Sequence, residues 1–156
     1  MFDLNSNSDL LLQCKAVTAD EPDLIANLAN ISAIIFDGMA DINWAGFYFA
    51  RKPDELVLGP FQGKVACVRI PFGKGVCGTA AAEKQLQHVD DVHQFSGHIA
   101  CDAASNSEVV APIIVNGEVV AVLDIDSPSV ARFSKEDAQQ IGLIADYCAQ
   151  LDWTQL

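Results

Sequence analysis

The chain has 156 residues, enough for one domain, and its 51% hydrophobic content allows a sizeable core. Nine Lys and Arg against 21 Asp and Glu give a formal charge of −12. That balance excludes the basic footprint of a nucleic-acid binder and the cationic patch that docks on anionic membranes. The longest apolar runs, such as residues 109–115, are too short to cross a bilayer. Residues 1–13 carry no positive charge before their apolar stretch and include Asp3 and Asp9, unlike a signal peptide. The expectation is a soluble, cytoplasmic protein.

Residues 8–15 form a short opening helix. A clearer one follows, with Asp20 as its expected cap and Pro22 in its first turn. Leu24, Ile25, Leu28, Ile31, Ile34 and Ile35 then recur at helical spacing until Gly38 and Asp41 end it. The aromatic-rich residues 44–50 (WAGFYFA) read as a strand. The Lys52-Pro53-Asp54 turn leads to a second strand over 56–61, and a third over 66–70 stops at Pro71. A short helix over 76–84 precedes a brief strand at 86–89. Residues 90–106 lack periodicity and contain His93, Gly97, His98 and Cys101, the mark of a functional loop.

Asn116-Gly117 between 109–115 and 118–125 is the strongest hairpin signal in the chain. Pro112 inside the first of those strands implies a bulge or an edge. Ser134 with Asp137 resembles a capping box, although the box prefers Glu or Gln at that position. The last helix then carries Ile141, Ile144, Ala145, Cys148 and Leu151 along one stripe. Helices bracketing hairpin-linked strands predict one α+β domain over residues 1–156, with a central antiparallel sheet flanked by helices.

Five cysteines without a secretory signal do not fit a structural disulfide framework. Cys14 and Cys148 lie on predicted helices and suit the core. Cys67 falls in a strand, Cys77 at a helix start and Cys101 in the long loop. A helix N-terminus lowers a thiol's pKa, which gives Cys77 one ingredient of reactivity. Asp102 and Glu108 near Cys101 disfavour its thiolate by repulsion. Cys67, Cys77, His88, His93, His98 and Cys101 lack the close Cys pair of a zinc site, so no metal is expected. Gly73 to Gly78 matches G-x-G-x-x-G, but the short helix and antiparallel setting favour a plain turn over a dinucleotide site. No other cofactor is indicated.

Asp124 and Asp126 are two apart in a strand and therefore share a face, with Leu123 and Ile125 opposite. Two such carboxylates cannot both ionise freely, so one should have a raised pKa. In an ideal hairpin register Glu108 pairs with Ile125 and faces away. A bulge at Pro112 brings it onto the acids' face.

With these residues in place, the chain resembles the free methionine-(R)-sulfoxide reductases, enzymes built on a single GAF domain. The matching stretches are DINWAGFY (41–48), LVLGPFQGKVACVRIPFGKGVCGTA (56–80), HIACDAASNSEVVAPI (98–113) and VLDIDS (122–127). The resemblance implies reduction of free L-methionine-(R)-sulfoxide to methionine. It implies Cys101 as the catalytic cysteine, Cys67 as the resolving cysteine and Cys77 as a second resolver. It places Glu108, Asp124 and Asp126 at the substrate and Trp44 in an aromatic wall beside them. The chemistry needs no metal, and a thioredoxin-like reductant would return the thiols. A homodimer is a common outcome for such domains. The rival is a sensory GAF domain that binds a small ligand without turnover, for which the trio Cys67, Cys77 and Cys101 has no use.

Overall fold

Two helices open the computed structural model, which describes residues 7–97 and 104–156: α1 (Asn7–Thr18) and α2 (Leu24–Gly38). Leu24, Leu28, Ile31 and Ile35 recur one turn apart and are all buried, so α2 presents one apolar stripe. Its cap is Asp23, not Asp20. The Asp23 carboxylate accepts from the backbone N–H of Ala26 at 2.8 Å, a bond that Asp20 is three residues too early to make. Pro22 accordingly precedes the cap.

The strands are β1 (Trp44–Lys52), β2 (Glu55–Gly63), β3 (Arg69–Pro71), β4 (Gln87–Val89), β5 (Ser107–Val115) and β6 (Glu118–Ser127). They form one antiparallel sheet in the order β3-β2-β1-β6-β5-β4. Helix α3 (Gly75–Glu83) connects β3 to β4, and α4 (Lys135–Cys148) follows β6. The third strand is shorter than expected and excludes residues 66–68. Pro60 in the facing stretch of β2 has no N–H to extend the ladder. A 3₁₀ turn, Val92–Gln94, sits within the stretch read as irregular.

The sheet separates two apolar clusters. Ala45, Phe47, Phe49, Leu123 and Ile125 point towards α1, α2 and α4, which cover that face with a large core. Cys14 and Cys148 belong to it, fully buried free thiols as expected for packing residues. Burial pushes the Cys14 thiol up to about 12 and raises that of Cys148, so both stay protonated and inert. At the start of α4, Ser134 and Asp137 form the reciprocal capping box, with bonds of 3.0 and 2.9 Å. On the opposite face Trp44, Tyr48, Val110 and Val122 meet α3 in a smaller cluster.

The β5–β6 hairpin decides what the second face carries. Asn116 (φ 52°) and Gly117 (φ 80°) both take positive φ, as a type I′ turn requires. The pairing runs Val115 with Glu118 and Ile114 with Val119, then skips to Ile113 with Ala121. The extra residue is Val120 on β6, so the bulge lies just beyond Pro112 rather than at it. Beyond the skip Glu108 pairs with Asp126, not Ile125. Directly paired residues share a face, so one inserted residue moves Glu108 from the core side to the acids.

Candidate active site

Three cross-strand rows build the floor of a cleft on that second face. Trp44, Asp126 and Glu108 form the first; Gly46, Asp124 and Val110 the second; Tyr48, Val122 and Pro112 the third. The Trp44 ring stacks on Phe61 at 5.1 Å and on Tyr48 at 5.7 Å between centroids. Its Nε1–H donates to the Lys64 carbonyl at 3.2 Å, which fixes the indole along one wall. Gly46 permits that packing, since a Cβ there would lie 2.3 Å from the Phe61 Cβ.

The roof is the first turn of α3. Gly73 and Gly75 take positive φ, and a Cβ on Gly78 would meet the Pro71 carbonyl oxygen at 2.4 Å. The glycine run is therefore a conformational device that seats α3 close to β3. It sets Cys77 over the acids, with Sγ directed at Glu108 Oε2 at 3.8 Å. Lys74, Gly75 and Val76 line the same cleft, as do Ile70 and Val92. It contains about 570 Å³ of atom-free space, a figure that includes its open mouth.

Asp124 and Asp126 are buried, and Asp124 Oδ1 has no hydrogen-bond partner among the described residues. Burial, and then the Asp126 charge, raises the Asp124 pKa well above the carboxylate range. Glu108 is raised by burial and then by Asp124. The expected raised carboxyl is thus present, and a second one joins it. Cys77 departs from expectation. Burial first, then the charges of Asp124, Glu108 and Asp126, holds its thiol protonated against the pull of the helix terminus. Among the described residues, Cys77, Glu108 and Asp124 place ligand-capable atoms within 4.8 Å of one another, the donor set a divalent ion would meet here. It contains no imidazole, and protons already favour these groups.

Cys67 lies half-buried on the stretch between β2 and β3 and is disulfide-bonded, whereas Cys77 is a free thiol. The neighbouring Val65 and Ala66 edge the cleft. Cys101 falls in 98–103, outside the described residues. Both flanks of that segment are anchored at the cleft. The Gly97 carbonyl accepts from Gly75 N–H at 2.9 Å, while Ser105 lines the wall and takes a bond from Asn43 Nδ2 at 3.3 Å. Asn106 N–H donates to the Ser127 carbonyl at 2.8 Å, and its carbonyl accepts from Val92.

Tyr48, Lys74 and Ser105 were not singled out in the sequence. Tyr48 was legible, since it lies four strand residues from Trp44 and so on the same face. Lys74 and Ser105 carry no such signal, because only the loop geometry sets them at the cleft.

A GAF-domain family model matches residues 25–151. The free methionine-R-sulfoxide reductase of Escherichia coli is 57% identical over 132 residues, covering 85% of this chain and 79% of that protein. The chain belongs to this reductase family of GAF-domain proteins. The Saccharomyces cerevisiae free methionine-R-sulfoxide reductase is 46% identical over 143 residues, spanning 87% of this chain and 79% of its own. The X-ray structure of the Neisseria meningitidis reductase in complex with its substrate superposes with a TM-score of 0.90 at 42% identity, covering 96% and 90% of the two chains. Membership of the reductase family agrees with the curled antiparallel sheet and the acid-lined cleft. Among the described residues, no helix is long and apolar enough to cross a membrane.

Proposed function

We propose that this chain reduces free L-methionine-(R)-sulfoxide to L-methionine through cysteine chemistry, with Cys101 as nucleophile. The observation that carries the reading is the buried acid group beside the Trp44 wall: Glu108 and Asp124 favour their protonated forms, and Asp124 Oδ1 lacks a partner among the described residues. Close identity to named free methionine-R-sulfoxide reductases supports it. Cys101 stands four residues from Gly97 and four from Ser105 along the chain.

The Cys101 thiolate attacks the sulfoxide sulfur while a carboxylic acid, Glu108, protonates the departing oxygen. Methionine leaves, and Cys101 becomes a sulfenic acid. Attack by Cys67 expels water and forms a disulfide. The bonded state of Cys67 beside a free, protonated Cys77 supports Cys67 as the resolving residue. An external dithiol of the thioredoxin type then reduces the disulfide, a cycle suited to a reducing cytoplasm. Asp126 and Asp124 hold the ammonium of the free amino acid, and Trp44 packs on its methyl and Cγ atoms. A cage of this kind excludes a peptide-bonded residue, which has no ammonium to offer.

The test incubates reduced protein with racemic free methionine sulfoxide and a dithiol, and quantifies methionine and the residual epimer. Consumption of the R epimer, abolished by Cys101→Ser, is expected. Ligand binding without turnover supports the sensory alternative and overturns the enzyme reading, as does turnover indifferent to Cys101→Ser.

A further inference from the structure

We propose that the stretch flanking Cys67 is the docking surface for the dithiol protein that regenerates the enzyme, and that it selects an acidic partner with an apolar collar around its reactive cysteine. The inference rests on the disulfide cycle proposed above and names the surface where its last step occurs.

Two independent features mark this stretch. Val65 is 89% exposed and Val68 59%, the two most exposed large apolar side chains among the described residues. They lie two residues before and one residue after the disulfide-bonded Cys67. Leaving them in water is unfavourable unless a partner covers them. Val68 is also held in place: the Leu58 N–H donates to its carbonyl at 2.9 Å, and the next residue enters β3 paired with Val57. A fixed apolar side chain loses little entropy on being covered.

The second feature is charge. From 56 to 82 the chain contains no Asp or Glu, yet includes Lys64, Arg69 and Lys74, all exposed. Arg69 is paired with Glu55 at 2.8 Å, so the excess positive charge of this stretch rests on Lys64 and Lys74. A net cationic rim on a protein of formal charge −12 would steer an acidic partner to this side and turn it away from the rest of the surface.

The chemistry done there balances. A thiolate of the partner attacks Cys67 Sγ, the enzyme disulfide breaks, and the other cysteine leaves as a thiolate that takes up a proton. The partner's second thiol then attacks the mixed disulfide, forming the partner's own disulfide and releasing Cys67 as a thiol. Two electrons pass from partner to enzyme.

The test compares two reductants in steady-state turnover of free methionine sulfoxide: a thioredoxin recycled by its reductase, and dithiothreitol. Val68→Asp is expected to raise KM for thioredoxin about tenfold, with Val68→Ser intermediate and the dithiothreitol rate unchanged. Lys64→Glu should raise the same KM and flatten its increase with salt. Unchanged thioredoxin KM in both Val68→Asp and Lys64→Glu overturns the docking surface. So does an equal loss with both reductants in Val68→Asp and Val68→Ser, or wild-type turnover with dithiothreitol but none with thioredoxin. Absence of methionine with either reductant instead overturns the underlying enzyme reading.

Discussion

Asp124 concentrates the conflict on which the cleft is built. Its carboxyl is buried, faces Asp126 and Glu108, and leaves one oxygen unpaired among the described residues. Burying this carboxyl beside two others is unfavourable, and an ammonium placed among them is a favourable guest. Asp124→Asn keeps the shape and removes the titrating group. It should raise the melting temperature of the ligand-free protein at neutral pH by roughly 2–4 °C, about 1 kcal/mol. Turnover should fall at least about a hundredfold, through loss of the ammonium contact. Thermal melts and steady-state rates on the one variant check both arms, and a variant that melts lower while keeping its rate sinks the assignment. Trp44 is held by two ring stacks and one hydrogen bond, which preorganises the wall before substrate arrives.

At the scale of elements, the approach of α3 to β3 sets the depth of the cleft. Gly78→Ala adds a Cβ that would stand 2.4 Å from a backbone oxygen, and backbone cannot swing aside as a side chain can. The helix-propensity gain of about 1 kcal/mol is smaller than the overpacking cost of about 1–3 kcal/mol. The variant should be less stable in urea and show a raised KM for the sulfoxide, since lifting α3 withdraws Cys77 from Glu108. Equal or greater stability by urea titration would show that α3 has room to spare.

Most elements were legible from local pattern. The I′ turn at Asn116-Gly117, the capping box at Ser134 and the buried stripe of α2 each depend on residues within a few positions of one another. Asp23 displaced Asp20 as a cap for a reason just as local, the reach of one side chain to the third helical N–H. The truncation of β3 was not legible, because it depends on Pro60 of a neighbouring strand. Pro112 implies a bulge or an edge; the structure has a bulge, and its extra residue is Val120 on the partner strand. Cys101 was singled out from the sequence and the family, and its assignment stays with the proposed chemistry.

For the whole molecule, the cleft acids set the pH dependence of stability. Glu108 and Asp124 have folded pKa values raised above their unfolded values. Between the two values the folded state binds more protons than the unfolded state, so stability falls as pH rises. Their contribution is fully present below the ordinary carboxylate range near pH 4 and is lost as pH climbs through the raised values. Wild type should therefore lose more stability between pH 5 and 8 than a Glu108→Gln, Asp124→Asn double variant, in parallel denaturant titrations. Coincident slopes would show that these groups titrate as they do in the unfolded chain.

By itself the sequence determined the class of molecule: an acidic α+β domain with two packing cysteines and a set of redox candidates. Composition, periodicity and turn chemistry act over a few residues and survive without knowledge of the fold. Only the tertiary structure decided which face Glu108 occupies, because one inserted residue on β6 reverses every side chain beyond it. It also decided the state of Cys77, where burial and three carboxylates outweigh a helix terminus. Those effects depend on distance through space and on exclusion of water, and neither quantity is written along the chain.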